Sequence, residues 1–187
     1  MLSKVKVPLI IIGSGDDAKD NLIMPECSQA ARGERCLLGC AEQDNYKTLT
    51  MSVLADGHSL IAESPIDINI AKQLNILISD LGLSLERIVI NPTIGALGYG
   101  LEYAYSIMER ARLAALSGDK TLASPFICFV GQESWKTKEA KVSPQQGIIW
   151  ETITASSLIQ AGADILVMRH PSAIQNVRRH IKELFKG

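Results

Sequence analysis

Arg87-Ile88-Val89-Ile90-Asn91-Pro92-Thr93-Ile94-Gly95-Ala96-Leu97-Gly98-Tyr99-Gly100-Leu101-Glu102-Tyr103-Ala104-Tyr105-Ser106-Ile107-Met108 contains one complete structural repeat. The β-branched run at 87–90 reads as a buried strand. A loop of small residues follows. From 99 to 116, Leu101, Ala104, Tyr105, Met108, Ala111 and Ala115 recur three or four apart, while Glu102, Glu109, Arg110 and Arg112 are free to face water. That spacing predicts an amphipathic helix. Strand, glycine-rich loop and helix together make a βα unit.

The unit recurs on both sides. Apolar runs at 9–12, 36–38, 59–62, 126–130 and 164–167 each precede a stretch of helical period, among them 67–81, where Ala71, Leu74, Ile78 and Leu81 share a stripe. Gly33, Gly57, Gly82, Gly118 and Gly162 punctuate the return from helix to strand, where a left-handed cap residue is wanted. Ser143-Pro144-Gln145-Gln146 is a helix start with proline at the first turn. Six βα units in one domain, 1–187, predict an all-parallel α/β sheet with right-handed crossovers. Periodicity leaves two closures open: an open doubly wound sheet, or six of the eight units of a TIM-type barrel with about two absent. The segment 132–142 reads as an irregular polar loop after the fifth strand.

Composition narrows the function classes. The 187 residues carry 19 basic and 20 acidic side chains and are 47% apolar. Neither disorder nor a basic surface for nucleic acid or membrane fits that balance. The opening Met1-Leu2-Ser3-Lys4-Val5-Lys6 leads into an apolar run too short for a signal peptide, and no stretch has the eighteen or so apolar residues of a membrane helix. A cytoplasmic protein is expected, with Cys27, Cys36, Cys40 and Cys128 as reduced thiols. On a regular strand Cys36 and Cys40 point to one face and are read as buried packing groups.

Familiar catalytic patterns are missing. His58, His170 and His180 are isolated, so no metal site is expected; only His170, closing the last strand, is placed to touch a ligand or partner. No lysine ends a strand, as a Schiff-base enzyme would need, and the nucleophile elbow GxSxG is absent. Gly13-Ser14-Gly15-Asp16 lacks the later glycine of a dinucleotide fingerprint and the Gly-Lys of a P-loop, so it reads as a plain turn. The strand exits instead carry Asp16, Glu42, Asn45, Glu63, Asp67, Asn69, Asn91, Thr93, Glu133 and Arg169, a set suited to hydrogen-bonded recognition of a large neutral ligand. Helix capping accounts equally well for Asp16, Asn45 and Asp67. The loop 91–100, with Gly95, Ala96, Leu97 and Gly98, permits close approach of a flat ligand or partner surface.

The residues 91–103, continuing through Tyr105-Ser106-Ile107-Met108-Glu109-Arg110, closely resemble the signature of the delta, or small, subunit of the corrinoid iron–sulfur protein of the acetyl-CoA synthase/CO dehydrogenase complex. Glu42-Gln43-Asp44-Asn45-Tyr46-Lys47, the segment 64–75 and Val130-Gly131-Gln132-Glu133-Ser134-Trp135-Lys136 are similar to the same family, so the resemblance spans essentially the whole chain. It implies a TIM barrel related to pterin-dependent methyltransferases, here corresponding to the C-terminal six units.

It also implies a subunit of a corrinoid methyl carrier in the reductive acetyl-CoA pathway. The cobalamin would be shared with a large iron–sulfur subunit, with no cluster and no catalytic residue in this chain. A methyl-pterin methyltransferase would supply the methyl group and acetyl-CoA synthase would receive it. The corrin-facing or subunit-facing residues expected are Asn91, Thr93, Gly95, Ala96, Leu97 and Gly98, supported by Glu63, Asp67, Asn69, Glu133, Trp135 and Arg169. Rival readings are a pterin-binding methyltransferase barrel using Asn91 and Asp67, and a non-catalytic assembly scaffold.

Overall fold

The computed structural model describes residues 6–186; the reading of Met1–Val5 as part of a short non-signal segment lies outside them. The order is β1 (Ile10–Ile12), α1 (Asp17–Ala30), β2 (Leu37–Ala41), α2 (Tyr46–Asp56), β3 (Ser59–Glu63), α3 (Ile68–Asp80), β4 (Ile88–Asn91), α4 (Leu101–Leu116), β5 (Ile127–Cys128), α5 (Val130–Ser134), α6 (Lys138–Val142), α7 (Pro144–Gln160), β6 (Ile165–Leu166) and α8 (Pro171–Leu184). β1 to β4 pair in sequence order, β5 pairs with β6, and every pairing is parallel. A parallel bridge from Ile90 to Phe126 joins the two groups. The six strands thus form one continuous parallel succession, with β1 and β6 as its ends among the described residues.

Alternation along the strands builds two layers. Leu60, Ala62 and Ile88 point outward and pack with Met24, Leu49, Val53, Leu74 and Ile78 from α1 to α3. A second outer cluster gathers Ile90, Cys128, Met108, Phe126 and Leu158 beneath α4, α7 and α8. Ile61, Val89 and Ile127 point the other way and meet Leu37, Cys40, Phe129, Ile165 and Val167. Inward residues of β2 to β6 meet only if the sheet curls, which is barrel geometry rather than an open sheet.

The five helix-stop glycines all have positive φ, between 84° and 103°. Asp16 and Asp67 cap α1 and α3 as expected, accepting from Lys19 N–H at 3.1 Å and Asn69 N–H at 2.7 Å. Four sequence expectations need correction. Residues 132–142 are not irregular: α5 ends and α6 begins there, the latter capped by the Thr137 hydroxyl at 3.2 Å from Ala140 N–H. Each helix is a single turn or so, too short to leave a periodic signature. The fifth and sixth strands are only two residues long, the fifth because Val130 already enters α5. Asn45 does not cap α2; its side chain crosses to the neighbouring unit. Cys36 and Cys40 do not share a face. The register shifts between Leu38 and Ala41, so Cys36 packs under the helices while Cys40 faces the interior.

Candidate strand-end site

At the C-terminal ends of β1 to β5 the interior opens into a cavity of about 380 Å³. Its floor is built strand by strand. After β1, the turn Gly13-Ser14-Gly15 wraps the Asp20 carboxylate: Ser14 N–H and Oγ–H donate to Oδ1 at 2.7 and 2.8 Å, and Gly15 N–H donates to Oδ2 at 3.0 Å. A turn that could cradle a phosphate is therefore filled by the chain's own anion. Those bonds outweigh the cost of burial and hold Asp20 below the usual carboxylate range. After β2, Asn45 accepts from Glu42 N–H at 2.8 Å and donates to Asp17 Oδ1 at 3.0 Å, tying this exit to α1.

β3 and β4 end in register as Glu63 and Asn91. Asn91 Nδ2 donates to Glu63 Oε2 at 2.8 Å, and its Oδ1 accepts from Thr93 N–H at 3.1 Å. Thr93 Oγ1 in turn donates to Ser64 O at 2.8 Å, so two strand exits are laced together. Phe129, Gln132 and Glu133 close the cavity from the β5 side. Its carboxylates are Asp17, Asp20, Glu42, Glu63 and Glu133, and among the described residues no lysine or arginine lines it. Burial pushes Glu42 up, reinforced by the charges of Glu63, Asp17 and Asp44. Burial, and then Glu63, also push the Cys40 thiol well above its ordinary value. Such a cavity accepts hydrogen bonds from a neutral or cationic ligand and repels an anion. Among the described residues no group of three or more His, Cys, Asp or Glu side chains could hold a metal ion.

Of the residues expected to face a ligand, Asn91, Thr93, Glu63 and Glu133 line the cavity. Asp67 and Asn69 lie at the start of α3, where Asp67 is engaged by Asn69 and Ile70 N–H. Trp135 and Arg169 form a separate cluster. The Arg169 guanidinium lies 5.6 Å from the Trp135 ring centroid, and His170 stacks on the same ring at 5.8 Å. Beneath them is Glu151, fully buried, accepting from Trp135 Nε1 at 2.9 Å, from Arg169 N–H and from His170 N–H at 3.1 Å. His170 Nδ1 caps α8 by accepting from Ser172 N–H at 3.1 Å.

The loop 91–100 divides between two places. Its first part enters the cavity; Gly95 packs against Tyr99 O, Ala96 is buried, and Leu97 and Gly98 border a second groove of about 480 Å³ between α4 and α7. Asp17, Asp20, Cys40 and Glu151 escaped the sequence reading as site-forming residues. Glu151 had a legible signal, since it interrupts the otherwise small and apolar stripe Gly147, Thr154, Ala155 and Leu158 of α7.

Six consecutive parallel βα units with a polar cavity at the strand ends define a TIM-barrel-class protein. Solved dihydropteroate synthases agree: one with bound product matches with a TM-score of 0.68, covering 97% of this chain and 69% of that one. The Yersinia pestis enzyme, solved with a pterine–sulfa conjugate, also gives 0.68, covering 99% and 71%. Both are 14% identical, a likeness of fold.

The chain belongs to the CO dehydrogenase/acetyl-CoA synthase delta subunit family, whose sequence model matches residues 1–178. It is 36% identical to the acetyl-CoA decarbonylase/synthase complex subunit delta of Methanopyrus kandleri over 100% of this chain and 48% of that protein. The Methanothermobacter thermautotrophicus subunit delta is 38% identical over 99% and 49%. The chain spans about half the length of these relatives.

Proposed function

We propose that this barrel is the small-subunit part of a corrinoid methyl carrier that accepts a methyl group from a methyl-pterin and delivers it to acetyl-CoA synthase. The observation that carries the reading is the carboxylate- and amide-lined cavity at the strand ends of a delta-subunit family chain. A cavity of about 380 Å³ is near the small end of ligand sites and takes one fused ring pair, not a corrin macrocycle with its arms. The corrinoid would therefore lie across the mouth, between this chain and the large iron–sulfur subunit, and this chain fits as one wall of that site.

When bound, the cobalt supplies the methyl-accepting chemistry, and the protein supplies position and exclusion of water. Glu63, Asn91 and Thr93 are rigidly laced and present acceptors and donors to the amide arms of the corrin; Glu133 borders the same mouth. Half-exposed Ile12 and the Phe129 ring keep water from the inner edge. Gly95, Ala96, Leu97 and Gly98 shape the adjoining loop, and Asp67, Asn69, Trp135 and Arg169 are assigned to the outer rim. The partners are the large subunit, the methyl-pterin methyltransferase and acetyl-CoA synthase, in the cytoplasm.

A second reading, direct pterin binding, is favoured by the Glu63–Asn91 pair, whose adjacent acceptor and donor match the edge of a fused heterocycle. Asp67 contributes nothing to that pair, being spent on α3. Co-expression with the large subunit separates the readings. The carrier predicts a base-off corrinoid spectrum that changes, with methyl transfer at least about tenfold slower, in Glu63→Ala and Asn91→Ala. Unchanged spectra and rates in both variants would sink it. Methyl-pterin binding to this chain alone would favour the second reading, and assembly with no corrinoid effect would indicate a scaffold.

A further inference from the structure

The outer faces of α4 and α7 carry apolar side chains that the fold leaves uncovered. On α4, Leu113 is 64% and Leu116 86% exposed; on α7, Ile149 is 45% and Ile153 41% exposed. Positions four apart share a helix face, so Leu113 continues the stripe of Glu102, Tyr105 and Glu109, and Ile149 and Ile153 continue toward Ser157. The groove of about 480 Å³ is lined by Leu101, Glu102, Tyr105, Ser106 and Glu109 of α4 and by Ser157 of α7, with Leu97 and Gly98 at one end; it is mostly apolar, and Leu113, Ile149 and Ile153 extend its two helix faces beyond that lining. The loop there is held by two bonds to α7: Leu97 N–H donates to Thr154 Oγ1 and Trp150 Nε1 donates to Leu97 O, both at 3.2 Å. A single connection thus shapes both the strand-end cavity and this groove.

We infer that the α4–α7 groove is the docking surface for a neighbouring subunit of the complex, which inserts apolar side chains flanked by lysine or arginine. Three observations choose this occupant. On the carrier reading the large subunit meets the strand-end mouth only through the corrinoid, and that mouth is rich in carboxylates, so an apolar hold on the partner must lie elsewhere on this chain. Contiguous exposed apolar surface marks interaction sites. The charged groups lining the groove are both carboxylates, Glu102 and Glu109, and neither pairs with a cation among the described residues. A second copy is disfavoured by the same charges, because a two-fold contact would set one carboxylate-lined groove against another with no cation between them.

This inference rests on the methyl-carrier reading, so the partner to test is the large corrinoid subunit with the full chain. Glu102→Lys/Glu109→Lys and Ile153→Glu alter exposed positions and should leave circular dichroism and melting unchanged. Titration calorimetry should show the charge-reversal variant binding the large subunit about tenfold more weakly at low salt, with a flatter salt dependence. Ile153→Glu should weaken binding at least about tenfold at every salt concentration. Binding within about twofold of wild type in both variants overturns the inference. So does self-association of the isolated chain that Ile153→Glu abolishes, which would assign the groove to a second copy. If the wild-type chain does not bind the large subunit, both readings fall; if it binds and Glu63→Ala alters the corrinoid spectrum while the groove variants are silent, only this one does.

Discussion

Glu42 and Asp20 line the same cavity and titrate in opposite senses, which gives the site a pH signature. For Glu42, burial and neighbouring carboxylates raise the folded-state pKa above 4.5, so its charge opposes folding above that pH and the penalty is gone below it. Glu42→Gln is expected to raise the urea midpoint of the free chain at pH 7, with the gain vanishing near pH 4. Asp20 is the reverse case. Its folded-state pKa lies below 3.8, so its stabilisation is present above 3.8 and lost as pH falls through the depressed value. Asp20→Asn should cost about 2 kcal/mol at pH 7 through the bonds to Ser14 and Gly15, with the difference shrinking below pH 3.8. Denaturation curves at pH 7 and near pH 4 check Glu42, and a further curve near pH 3 checks Asp20. Such pairings were only partly legible in the sequence. Asp16 and Asp67 precede helices by the spacing a cap requires, whereas Asp20 reaches back across a turn and Asn45 reaches across to α1. Those partners are set by the tertiary fold.

The loop into α4 shows how an element can mislead. Its small residues invite a ligand explanation, yet a Cβ on Gly95 would lie within 3.0 Å of backbone atoms of Tyr99 and Gly100, so the chain itself requires glycine there. Gly98 differs: φ is +77° with nothing within 4 Å of an added Cβ, so the demand is conformational only. Gly95→Ala is expected to destabilise by about 3 kcal/mol through backbone displacement. Gly98→Ala should cost about 1 kcal/mol of left-handed strain. Urea midpoints of the two variants separate these effects, and equal losses would contradict the geometry. Helix positions for α3 and α4 were legible because their stripes run for several turns, and α7 was legible at its start, where Pro144 follows the capping Ser143. α5 and α6 were not, since five residues carry no measurable period.

At the scale of the molecule, the closure of the sheet was the question periodicity could not answer. Strands in an open doubly wound sheet and in a barrel are buried on both faces and read alike. The difference lies in which inward residues meet, and it is decided by Leu37 and Cys40 packing against the same Ile61, Val89 and Ile127 cluster as Phe129, Ile165 and Val167. The ends of the strand succession differ from its middle. Ile10 and Ile12 of β1 are partly exposed and β6 is nowhere fully buried, whereas Leu60, Ile61 and Ile88 are inaccessible. Hydrogen exchange of the chain alone should show amides of β1 and β6 exchanging at least about tenfold faster than those of β3 and β4. Uniform protection would mean that the ends are as well supported as the centre.

The half-step in β2 has a chemical corollary for the chain's own thiols. Because the parity of the strand reverses between residues 38 and 41, two sulfurs only four positions apart are partitioned to opposite surfaces of one sheet. An oxidant therefore cannot join them without dismantling the strand. Damage at the cavity thiol stays local, and the sulfur beneath the helices is insulated from it.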